Sequence, residues 1–98
     1  MFIDKPITVS EDEAVEFMRE LKASSVRICG GSSLKQDFFV QTLKQEALSE
    51  KNGKTVGGYI RAPYQAENEH GGFYFYAQHL VEMVCEIFGR RPLSVTAR

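Results

Sequence analysis

The chain has 98 residues, 43% hydrophobic and 26% charged, with twelve basic against thirteen acidic side chains and a formal net charge of -1. That length supports one hydrophobic core and not two, so residues 1–98 read as a single domain, with residues 1–24 as an N-terminal extension and 25–98 as the core. The balance excludes intrinsic disorder as the default and counts against binding through phosphate neutralisation, which calls for an excess of Lys and Arg.

In chain order, Ser10 followed by Glu13 forms a capping box, and Ala14, Val15, Phe17, Met18 and Leu21 recur at helical spacing, predicting a first helix that ends near Ala23. Val26 and Ile28 alternate with Arg27 and Cys29 before Gly30 and Gly31, which predicts a short strand and a turn. A second capping box, Ser33 with Gln36, opens a helix whose apolar face is Leu34, Phe38, Phe39, Leu43 and Ala47 and whose stop is Asn52–Gly53. Residues 54–62 alternate as a second strand, with Gly57 and Gly58 marking a bulge on an edge. The polar stretch 65–71, with Glu67, Asn68, Glu69 and His70, reads as an exposed recognition loop. Phe73, Tyr74, Phe75 and Tyr76 predict a third strand from aromatic content. Leu80, Val81, Val84, Ile87 and Phe88 predict a last helix stopped by Gly89 and Pro92, and Leu93, Val95 and Ala97 a final strand.

From Val26 onward the order is strand, helix, strand, strand, helix, strand. This is the ferredoxin-like α+β arrangement, βαββαβ, a four-stranded antiparallel sheet with two helices on one face, here with an extra N-terminal helix. Alternation then sends Arg27, Tyr59, Arg61, Tyr74 and Tyr76 to the open face of the sheet as a candidate binding surface. Three readings of that face compete: coverage by the first helix, pairing of two sheets in a homodimer, and stacking of single-stranded nucleic-acid bases on the aromatics. For the last, Gly72, Phe73 and Phe75 in this chain order are similar to the third strand of the RNA-recognition motif, which carries a glycine and two outward aromatics. The similarity spans about four residues, with Tyr74 and Tyr76 departing from the pattern and no basic residue leading it.

Elsewhere, Gly30, Gly31, Ser32 and Ser33 join a strand to a helix start, where free amides can hold an anion. Cys29 and Cys85 read as buried free thiols of a reducing compartment, and neither His70 nor His79 has the context of a catalytic partner to Cys29. His79 and Glu82 share a helix face but two ligands make no metal site. No run is long enough to span a bilayer and residues 1–5 do not resemble a secretory signal, so the expected location is cytoplasmic. The sequence-level reading is a small binding or protein-interaction module, homodimeric through its sheet face, without cofactor and more consistent with a non-enzyme. The alternatives are a single-stranded nucleic-acid binder, or a small-molecule or anion-binding enzyme sited at the Gly30–Ser33 turn.

Overall fold

The computed structural model describes residues 1–67 and 69–98; Asn68, part of the expected recognition loop, lies outside the described residues. The chain begins with a strand, β1 (Phe2–Asp4), that pairs in parallel with β2 (Cys29–Gly31). Phe2 lies opposite Cys29, Ile3 opposite Gly30 and Asp4 opposite Gly31. The pairing continues outward, where the Cys29 amide donates to the Met1 carbonyl at 3.0 Å and the Met1 ammonium to the Arg27 carbonyl at 2.8 Å. Glycine is required at position 30, because a Cβ there would sit 1.8 Å from the Ile3 carbonyl oxygen.

Helix α1 (Glu11–Ala23) links the two strands and spans the predicted range. Ser10 caps it, its hydroxyl accepting from the Glu13 amide at 3.4 Å, and three acids occupy the first turn against the macrodipole. The capping box is only half formed. The Glu13 carboxylate accepts from the Thr8 hydroxyl instead of reaching back, and the Ser10 amide donates to Thr8 Oγ1 at 3.1 Å. Ala14, Phe17 and Leu21 of the predicted stripe are half-buried, while Val15 and Met18 are exposed.

After β2, Ser32 starts a single 3-10 turn, Ser33–Gln36, by accepting from the Leu34 amide at 3.2 Å. Asp37 closes that turn and caps α2 (Phe38–Ser49), accepting from the Phe39 amide at 2.8 Å. The predicted Ser33 cap is therefore replaced by two caps, because the Asp37 carboxylate competes for backbone amides and restarts the helix. Helix α2 ends on Glu50 in the left-handed region, φ 50°, ahead of the predicted Asn52–Gly53 stop. Helix α3 (Phe73–Phe88) packs against α2 and ends where predicted, with the Gly89 amide donating to the Cys85 carbonyl at 3.0 Å.

The ferredoxin-like sandwich is not formed: this is a small α+β fold with a two-stranded parallel sheet and three α-helices. Residues 73–76, expected as the third strand, are the first turn of α3. The reason is legible afterwards. All four residues are aromatic, so their alternation carries no apolar-to-polar period, while Tyr76, Leu80, Met83 and Ile87 continue one half-buried helical stripe. Residues 54–62 and 93–97 are without assigned secondary structure, and among the described residues no backbone hydrogen bond joins them to a neighbour. Gly57 and Gly58 thus make no bulge; Gly58 instead lets the chain cross the Phe88 ring, which a Cβ would meet at 3.2 Å. The four-stranded sheet face that was to pair two copies is absent among the described residues, so a homodimer through that face has no support.

Among the described residues Val40, 8% exposed, is the one buried hydrophobic side chain, beside the wholly buried Ser32. Cys29 and Cys85 are free as expected, but exposed and half-buried respectively, because β2 is a two-stranded edge and not a central strand. Among the described residues no helix is long and apolar enough to cross a membrane.

Candidate functional site

Parallel pairing places the carboxyl ends of β1 and β2 at the same edge, where ligands gather in open α/β sheets. Strand β1 delivers Asp4 and Lys5 to that edge; β2 delivers Gly31 and Ser32. Helix α3 runs past it carrying Gln78, His79 and Glu82, which with Glu86 are polar residues on a mostly apolar helix.

Ser32 is the hub. Its amide donates to Glu82 Oε1 at 2.9 Å, its hydroxyl oxygen accepts from the Leu34 amide, and the same hydroxyl is hydrogen-bonded to His79 Nδ1. Lys35 Nζ donates to Glu82 Oε2 at 2.9 Å and to the Gly30 carbonyl at 2.8 Å, and Gln78 Nε2 donates to Glu82 Oε1 at 2.8 Å. Burial opposes charge on Glu82, but the donors Lys35, Gln78 and the Ser32 amide outweigh it and hold the carboxyl below its usual 4.5. Glycine at position 31 makes room for this carboxylate: its φ is +90° and a Cβ would lie 2.6 Å from Glu82 Oε2. One α-helical turn further on, Lys44 donates to Glu86 at 2.6 Å and Gln41 to the same oxygen at 3.4 Å, extending the polar seam between α2 and α3.

Lys5 Nζ donates to the Phe75 carbonyl at 3.2 Å and stands 3.3 Å from the centroid of the Phe75 ring, a cation–π contact. Loss of hydration lowers the His79 pKa below its usual 6.5, and the Lys5 charge lowers it further against the opposing fields of Glu82 and Asp4. His79 is therefore held neutral beside a fixed positive charge at neutral pH.

Of the predicted anion-binding turn, Gly30, Gly31 and Ser32 enter this cluster while Ser33 is exposed. The Ser32 amide, expected to be free for an anion, is taken by the protein's own Glu82 carboxylate. The five residues assigned to the sheet face are not gathered on a sheet. Arg27 is exposed just ahead of β2, Tyr59 and Arg61 are exposed on the extended segment, and Tyr74 and Tyr76 lie on the first turn of α3. The Tyr76 ring meets Phe75 edge-on at 5.1 Å. Cys29 Sγ lies 3.8 Å from the Met1 carbonyl, whereas the His79 ring pairs with Ser32.

Sequence reasoning missed Lys5, Lys35 as a Glu82 partner, and Gln78. A signal was present: 78, 82 and 86 form a polar i, i+4 row on an apolar helix, which needs partners to be placed against the core. Among the described residues no three His, Cys, Asp or Glu side chains are arranged to hold a metal ion, and the Glu82 oxygens are occupied by donors. A larger apolar cleft of about 1110 Å³ lies away from the cluster, between α2, α3 and residues 52–61. Comparison with known proteins returns no matching family model, no matching curated protein and no matching solved structure.

Proposed function

We propose that the chain carries a small-molecule site at the carboxyl edge of its strand pair, where Lys5 and His79 hold an oxygen-bearing group and handle its proton. This develops the enzyme alternative at the Gly30–Ser33 turn. The observation that carries it is that Lys5, the residue after β1, is held on the Phe75 carbonyl of α3, one helical turn before His79, so that its charge acts on the imidazole at the strand ends. The ammonium of Lys5 gives one hydrogen bond to Phe75 and keeps further N–H groups for a ligand. A cation beside a neutral imidazole suits a carbonyl, hydroxyl or carboxylate oxygen: the charge attracts developing negative charge, and the imidazole can exchange a proton with it. The substrate class is a small hydroxy, oxo or carboxylate compound.

The test is a titration with acetate at low ionic strength, followed by amide and imidazole NMR shifts. Shifts centred on Lys5, Gly31 and His79, lost in Lys5→Met, are expected. No response in the wild type, or a response that survives Lys5→Met, overturns the proposal.

A second reading, as an interaction module, is favoured by the exposed apolar side chains away from this site. Val56 is 96% exposed, Tyr59 87%, Phe38 75% and Leu93 104%, on a chain whose described core holds one buried hydrophobic side chain, Val40. Such surface is of the kind that another protein covers. The two readings are compatible, since the exposed residues of the second lie outside the cluster of the first.

A further inference from the structure

We propose that Ser32 is a positioning residue that fixes His79 in the tautomer bearing its proton on Nε2. Ser32 has one hydroxyl hydrogen and is wholly buried, so that hydrogen must find an acceptor within the protein. The oxygen already accepts from the Leu34 amide, which points that donor at one lone pair. His79 Nδ1 is the acceptor at hand. If Nδ1 carried the proton instead, it and Leu34 would both donate to the serine oxygen. The hydroxyl hydrogen would then be buried with nothing to receive it, a state disfavoured by about ten to one or more. The neutral imidazole must place its single proton on one nitrogen, and the partner of the other nitrogen decides which.

The serine is itself held. Its amide is anchored on Glu82, whose second oxygen is anchored on Lys35, which fixes the backbone from which the hydroxyl projects, while the Leu34 amide holds the hydroxyl oxygen itself. The charged groups facing His79 are Lys5, Glu82 and Asp4. None of these reverses the assignment, because the bond at Nδ1 is to a neutral hydroxyl and the carboxylate of Glu82 is engaged by three donors.

A consequence follows for the ligand, and this part rests on the small-molecule reading above. A neutral imidazole with its proton on Nε2 offers a donor there, so the ligand atom facing it is an acceptor, a carbonyl or carboxylate oxygen. With Lys5 adding a positive charge, a cationic ligand is rejected on both counts.

The experiment is nitrogen-15 NMR of the imidazole in the full chain carrying His70→Gln, which leaves His79 as the sole histidine of the two. The expected spectrum shows a protonated Nε2 and a bare Nδ1. It also shows a slowly exchanging Ser32 hydroxyl proton correlated with Nδ1. Ser32→Ala is expected to remove the correlation and shift the tautomer ratio at least several-fold toward Nδ1–H. A protonated Nδ1 in the unsubstituted serine protein overturns the proposal, as does an unchanged ratio in a folded Ser32→Ala chain. Should Ser32→Ala not fold, the hydroxyl correlation in the serine protein decides alone: its presence supports the assignment and its absence overturns it. Acetate and methylammonium then probe the ligand. Acetate acting at Nε2 with methylammonium inert is expected, and equal effects overturn acceptor selectivity. Silence from both overturns the small-molecule reading while leaving the tautomer assignment standing.

Discussion

At Glu82, two carboxylate oxygens receive a backbone amide, an ammonium and a carboxamide. Replacing it with Gln keeps the shape but turns one acceptor into a donor facing Lys35, and a cost of about 1–3 kcal/mol is expected at neutral pH by urea unfolding. The side chain is 20% exposed, which places the value toward the lower end. The pH dependence has a definite sign. Because the folded carboxyl titrates below 4.5, its contribution is fully present above that pH and is lost as pH falls through the folded value, so the gap between wild type and Glu82→Gln closes in acid. His79 acts in the same direction at higher pH: its folded pKa lies below 6.5, so the folded state loses ground as pH drops from 6.5 through the folded value. At this scale the sequence offered the Gly30–Ser33 turn as an anion-binding turn, and three of its residues enter a cluster in which the Ser32 amide is taken by Glu82. Lys5 was invisible, because a lysine before a proline at the end of a three-residue strand has no periodic context to mark it.

Helix α1 was legible to its boundaries, since its cap, acidic first turn and stripe all agree. The start of α2 was not, because two cap residues compete within six positions and the chain uses both Ser32 and Asp37. The difference is measurable. Asp37→Ala removes the bond to the Phe39 amide and is expected to cost about 1 kcal/mol. Ser33→Ala, at the cap that the sequence alone favours, is exposed and should stay within about 0.5 kcal/mol of wild type. Thermal unfolding of the pair settles which residue caps the helix, and equal losses would contradict the assignment. The β1–β2 pairing was missed for a different reason. Three-residue strands give too few positions for a period-two pattern, and Gly30 and Gly31 look like a turn until their close approach to Ile3 and Glu82 is seen.

Taken as a whole, the chain exposes 8498 Å², against about 5,700 Å² expected for a compact protein of this mass. Its radius of gyration is 15.4 Å where about 13 Å is usual. Residues 54–62 and 93–97, which show strand-like alternation and no backbone hydrogen bonds among the described residues, and the exposed face of α2 contribute to the excess. Amide hydrogen exchange is therefore expected to be unprotected over both segments while the Ser32 amide is among the slowest, and protection across 54–62 in the isolated chain would refute the open arrangement. Strand chemistry in those segments was readable from the residues; that no sheet receives them was not, because pairing depends on partners that alternation cannot supply. Trypsin should therefore cut first after Lys54 or Arg61, both exposed and outside any helix or strand. The resulting halves need not part, since the contacts of Ser32, Lys35 and Lys44 with Glu82 and Glu86 bridge the gap. A nicked chain that co-elutes at low salt would make this seam a natural point for reassembling the protein from two separately made pieces.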